Sequence, residues 1–124
     1  MIEFPELEQK PTYTLEIKGR VISKKNSKIW TGKYLISSKA YTQFENDTLK
    51  QITRVKKLKP PYAIRYEFYM KGRGATDIDN MQTSINDLLV KAVFIDDDKN
   101  ILSVQALKYL DCQEYSTTIK IYTE

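Results

Sequence analysis

The chain has no histidine and a single cysteine, Cys112. Without histidine, Ser-His-Asp and Cys-His catalysis, an HNH-type site and a zinc-protease site are all excluded. One thiol and no imidazole cannot hold zinc, and one cysteine forms no disulfide within a chain, so a reducing cytoplasm is the expected setting. Apolar runs are only a few residues long, too short to span a bilayer. Met1 to Lys10 is acidic and contains Pro5, the reverse of a signal peptide. Any chemistry must come from carboxylates, lysines, tyrosines or hydroxyls.

What is present is ordinary in bulk and uneven in detail. With 124 residues, 41% hydrophobic and 29% charged, the chain is expected to form one domain over residues 1–124. The net charge of +4 conceals a division. Residues 1–74 carry sixteen Lys and Arg against seven Asp and Glu, whereas residues 75–124 carry four against nine. A basic half joined to an acidic half suits a polyanion held by one and cations held by the other, although a solvated lysine-rich surface reads the same way.

Hydrophobic spacing predicts the order strand, helix, strand, helix, strand, strand: an α+β fold with two helices packed on a mixed sheet. Tyr13, Leu15 and Ile17 alternate with polar neighbours and end at Gly19. A basic loop, Ser23 to Lys28, leads to an irregular strand or short hairpin over Trp30 to Ile36. Tyr41, Phe44, Leu49, Ile52 and Val55 form a helical stripe, with Pro60-Pro61 as its stop. Strict alternation from Tyr62 to Lys71 predicts a half-buried central strand. Gly72 and Gly74 mark a mobile loop, and Met81, Ile85, Leu88, Leu89, Ala92 and Val93 make a second apolar stripe. Ile101 to Leu110 and Tyr115 to Tyr122 read as a hairpin around Asp111-Cys112-Gln113.

Chemistry-bearing residues flank that second helix. Asp77 and Asp79 precede it; in extended backbone, side chains two apart point the same way and converge. Asp96, Asp97 and Asp98 follow it. A helix of about fifteen residues, roughly 22 Å long, sets the two clusters far apart unless it is shorter or the next loop folds back. A strand from Ile101 pairing near the Asp77 loop would return the three to the first pair. Mg²⁺ or Mn²⁺ takes such oxygen ligands and relieves their repulsion. The same residues also read as ordinary structure, with Asp79 and Gln82 as a capping box and the triple Asp as a turn. An EF-hand is disfavoured, because its sixth position requires Gly where this chain has Ile101.

Taken in order, Asp77-Ile-Asp-Asn80, the helix with Asp87-Leu-Leu and Ala92, and Asp97-Asp98-Lys-Asn-Ile101 resemble the RusA family of Holliday junction resolvases. Weaker similarity extends to Ser23–Lys28, Trp30, Tyr34 and Ser38-Lys-Ala-Tyr41. The resemblance implies a homodimeric endodeoxyribonuclease that uses Mg²⁺, or Mn²⁺, on branched DNA such as four-way junctions. It implies Asp77, Asp79 and Asp98 as catalytic positions, and Asp77, Asp79, Asp97 and Asp98 as metal ligands. Family members often carry a lysine where this chain has Thr83; Lys71 or Arg73 is the expected substitute. Lys24, Lys25, Lys28, Lys33, Lys71 and Arg73 are the expected DNA contacts, with Lys39, Lys56, Lys57 and Lys59 adding charge. Trp30 and Tyr34 are expected either to stack on unpaired bases or to pack in a core or interface. A junction binder with weak or lost turnover is the alternative, and a small RNA-binding or protein-interaction domain is a more distant one.

Overall fold

A computed structural model of the chain describes residues 10–23, 28–32, 35–52, 57–74 and 76–123. Its elements are β1 (Tyr13–Lys18), β2 (Lys28–Trp30), β3 (Leu35–Ser37), α1 (Lys39–Gln51), β4 (Tyr62–Tyr69), α2 (Ile78–Lys91), a single 3-10 turn (Asp98–Asn100), β5 (Ile101–Tyr109) and β6 (Ser116–Thr123). The α+β class and the element order are those read from hydrophobic spacing. Strands β2 and β3 pair antiparallel and stand apart from the main sheet as a short hairpin.

Helix α1 begins at Ser38, which is extended and whose side chain accepts the N–H of Tyr41 at 3.1 Å. This is an N-cap that satisfies one donor of the open first turn. The helix ends at Gln51, well before Pro60-Pro61, so the prolines are not its stop. Its last turn is tied to β1 instead: Gln51 accepts the Lys18 N–H at 2.7 Å and donates to the Lys18 carbonyl at 3.0 Å.

The main sheet runs β1-β6-β4-β5. Strands β1 and β4 flank β6 antiparallel, and β4 pairs parallel with β5. The hairpin expected around Asp111 does not form, because β4 lies between β5 and β6. Strand β4 is central, as its pattern implies, but buried on both faces rather than half-buried. Tyr62, Ile64, Tyr66 and Phe68 are fully buried in the core that also takes Met81, Ile85, Leu88 and Leu89 of α2. Each such side chain contributes roughly 1.5–3 kcal/mol. The other face buries Arg65 and Glu67, made tolerable by an Nε–Oε2 contact of 2.6 Å and by hydrogen bonds to Gln105 and from Tyr69.

The parallel pairing of β4 and β5 positions everything that follows. Tyr62 sits opposite Ile101 and Tyr69 opposite Tyr109, so both strands run the same way and α2 returns between them. The start of α2 lies where β4 and β5 finish, and its end lies where they begin. Among the described residues, no helix is long and apolar enough to cross a membrane.

Candidate functional site

At the start of α2, Asp77 is the N-cap with extended backbone, φ −67° and ψ 144°. Its side chain makes no capping hydrogen bond; only its carbonyl enters the helix, accepting Met81 N–H at 3.1 Å. Both Asp77 and Asp79 are exposed. Asp79 lies inside the first turn, where a carboxylate is favoured by the positive helix end. It is therefore neither the cap nor one member of an extended pair. Helical residues two apart lie about 200° apart around the axis, so the extended-chain convergence does not apply.

The loop before Asp77 is pinned where its glycines predict mobility. Met70 N–H donates to the Tyr109 carbonyl, while Gly72 and Met70 carbonyls accept from Asp111 and Cys112 at 2.9 Å each. Lys108 Nζ reaches the Thr76 carbonyl at 2.8 Å. Strand β5 does meet the Asp77 loop, but through its last residues. Asp97 and Asp98 precede its first residue and stay at the opposite end. Helix α2, at fourteen residues, is roughly 21 Å long.

At that opposite end the three consecutive aspartates divide. Asp96 organises the turn: its carboxylate accepts both contacts of Asn100 Nδ2 (3.0 and 3.1 Å) and the Asp97 N–H (2.7 Å), and it meets Tyr62 Oη at 3.3 Å. The Asn100 hydrogen bonds are the main reason its carboxyl lies below the ordinary range. Asp97 accepts the Lys99 N–H at 2.9 Å, and that bond, with one from Asp98, holds its carboxyl low as well. Asp98 is raised instead, chiefly by the hydrogen bond it shares with Asp97, then by burial and by the charges of Asp97 and Asp87. The two neighbouring carboxylates compete for ionisation, and Asp98 is the one held higher.

This pair opens onto a cleft of about 310 Å³ lined by Glu45, Asp87, Val90, Lys91, Asp97 and Asp98. Lys91 forms an ion pair with Glu45 across α1 and α2. Beneath, the buried Tyr66 hydroxyl hydrogen-bonds Asn86 Oδ1, and Asp98 is close enough to help raise that phenol. Asp79, Thr83, Asp87 and Lys91 succeed one another at four-residue steps along α2, which places neighbours on one side. That spacing is the signal by which Asp87 and Lys91 were findable. Neither they nor Glu45 is picked out as a site residue by the motifs alone.

Among the described residues, no three acidic side chains gather closely enough to hold a metal ion. Asp97 and Asp98 are brought together, and Asp87 joins their electrostatics; Asp77 and Asp79 stand at the far end of α2. Of the expected DNA contacts, Lys71 and Arg73 are exposed on the pinned loop. Lys24, Lys25 and Lys33, with Lys56, Tyr34 and Val55, lie outside the described residues, and Lys28 is described only as backbone in β2. Trp30 is 65% exposed, which removes it from the core. Thr83 donates to the Asp79 carbonyl at 2.9 Å, an ordinary bond to the preceding turn.

A search of curated proteins found no match. The family model described as endodeoxyribonuclease RusA matches residues 8–122, which takes in both aspartate motifs, α2 and all of the sheet but its last residue, Thr123. With nearly its full length matched, this chain belongs to the RusA endodeoxyribonuclease family.

Proposed function

We propose that the protein is a metal-dependent, structure-specific endodeoxyribonuclease that hydrolyses phosphodiesters at four-way DNA junctions and works as a homodimer. Family membership implies nuclease activity of the Holliday junction resolvase type. The observation that carries the finer reading is the Asp97–Asp98 pair, two neighbouring carboxylates at the mouth of an acidic cleft. Such a pair is relieved by a cation.

Mg²⁺ is commonly held by one or two carboxylates plus substrate phosphate, so Asp97 and Asp98 fit it without a third acidic ligand; Mn²⁺ suits the same oxygens. When bound, the ion would supply positive charge and a more acidic water. Asp87 adds negative potential behind the pair. Asp77 makes no capping bond, but it and Asp79 lie about a helix length from the pair, so within one protomer they do not reach an ion held at Asp97 and Asp98. Lys71 and Arg73 supply phosphate contacts on the adjoining loop, and the basic segment holding Lys24, Lys25, Lys28 and Lys33 adds further charge. A two-fold dimer presents one site to each of two symmetry-related strands.

A second reading, a junction binder with slow turnover, is favoured by Thr83, which brings no cation to the middle of α2. One experiment separates the readings: cleavage of a labelled four-way junction and of linear duplex with Mg²⁺, Mn²⁺ or EDTA, beside Asp98→Asn and Asp79→Asn. The nuclease reading expects metal-dependent paired nicks in the junction alone, reduced about 100-fold or more by Asp98→Asn. Junction binding without nicks under either metal supports the binder. Equal activity in EDTA removes the metal from the mechanism.

A further inference from the structure

The cleft beside Asp97 and Asp98 brings at least three negative charges to the place where a phosphodiester must come. A phosphate approaching that wall is repelled unless a cation meets it. Thr83 is uncharged and its hydroxyl is turned to the Asp79 carbonyl. Lys71 and Arg73 belong to the loop at the other end of α2. Lys99 acts electrostatically on Asp97 from the 3-10 turn but does not line the cleft. Lys91 does line it, and among the described residues it is the one basic side chain that does.

We propose that Lys91 is a catalytic residue of the junction-cleaving site, delivering its ammonium group to the phosphate that is cut at Asp97–Asp98. This rests on the nuclease reading above. Glu45, on α1, pairs with Nζ and draws the lysine side chain over the cleft. An ammonium has three donors, and one partner leaves the others available to phosphate oxygens. The Lys91 side chain is 57% exposed, so its remaining donors are open to solvent and to a phosphate that enters the cleft. An exposed ion pair of this kind is worth only about 0–1 kcal/mol, so a phosphate can share or displace Glu45 at little cost. The competing explanation is structural: a lysine in the last turn of a helix is favoured by the helix dipole and can merely strut α1 to α2.

Single-turnover cleavage of a four-way junction in Mg²⁺ decides between them, with junction affinity measured in Ca²⁺ and Tm recorded for each protein. Lys91→Met is expected to slow cleavage about 100-fold while junction Kd stays within about threefold and Tm moves by only a few degrees. Lys91→Arg, which keeps the charge, restores most of the rate. Lys99→Met removes a neighbouring cation from outside the cleft and leaves the rate near wild type. Wild-type cleavage by Lys91→Met, or a loss matched by Lys99→Met, overturns the assignment and leaves the nuclease reading standing. A fall in rate that follows Tm or Kd across the set returns Lys91 to a structural role. A wild-type protein that binds junctions and cuts none overturns the nuclease reading and this assignment together.

Discussion

Glu67 sits 6% exposed on β4, facing away from the helices, in contact with Arg65, Tyr69 and Lys120. Burial works to raise its carboxyl, but hydrogen bonds from Arg65 and Tyr69 and the charges of Lys120 and Arg65 outweigh it, and the group ends below the ordinary glutamate range. A carboxyl lowered by folding contributes stability that is present above its unfolded pKa, and loses it as pH falls through the folded value. Wild type should therefore lose Tm below about pH 4.5 partly through this one group. Glu67→Gln leaves Arg65 buried without its counter-ion and should cost roughly 3 kcal/mol at neutral pH, with a flatter acid limb below it. Thermal unfolding of both proteins from pH 7 to pH 3 checks this; parallel acid limbs would show that Glu67 is not the group titrating. The alternation of β4 gave its residues to opposite faces correctly, but an Arg and a Glu two apart look like a solvent face until Gln105 and Lys120 arrive from other strands. The three aspartates at 96–98 pose the same problem. They are identical in sequence, and only Tyr62 and Asn100, placed by the fold, mark Asp96 as structural and leave its neighbours for the cleft.

Helix α2 was legible through its stripe of Met81, Ile85, Leu88 and Leu89, which form the core. It was not legible at its end: the helix stops at Lys91, Ala92 caps it, and Val93, expected on the stripe, is 58% exposed with positive φ. Its approach was no clearer. Two glycines suggest a mobile loop, whereas both take positive φ in a segment bonded to the end of β5. They are not equivalent. A methyl at Gly74 would lie 2.8 Å from Lys108 Cε, 2.9 Å from Leu110 Cδ2 and 3.1 Å from Met70 Cβ, while at Gly72 it meets nothing within 4 Å. Gly72→Ala should cost only the left-handed conformation, about 1 kcal/mol. Gly74→Ala adds to that strain the displacement of Lys108, whose ammonium holds the Thr76 carbonyl just ahead of Asp77. Its cost should be about 2–3 kcal/mol, a fall in Tm of several degrees more than Gly72→Ala. Equal Tm values for the two variants would show that the loop does not bear on β5 as described. The strand pairing of β5 escaped the sequence for a related reason. Consecutive strands pair only about two-thirds of the time, and nothing local in residues 101–122 announces that β4 will come between them.

At the scale of the molecule, the parallel pairing of β4 with β5 decides where charge accumulates. It sends α2 back along the sheet and leaves aspartates at both of its ends, the separation that the length of the helix between the two motifs implies. The basic half of the chain contributes Lys71 and Arg73 beside the start of α2, while Asp87, Asp97 and Asp98 crowd its other end. A duplex arm held along α2 would meet phosphate-neutralising charge at one end and the acidic cleft at the other. Such binding releases counter-ions, so junction affinity should fall linearly with log salt at a slope of about −0.9 per phosphate contacted. Replacing Lys71 and Arg73 together with Ala should flatten that slope by about two, weakening binding without changing junction preference over duplex, because phosphate contacts position DNA rather than select it. Anisotropy titrations of a labelled junction in Ca²⁺ across a salt series give the slope directly. An unchanged slope would take the DNA away from the pinned loop and leave the basic residues of the first half, Lys24, Lys25, Lys28 and Lys33 among them, to carry the backbone alone. A flattened slope with cleavage by the double variant intact would place the loop in binding and leave the chemistry to the cleft at the other end of the helix.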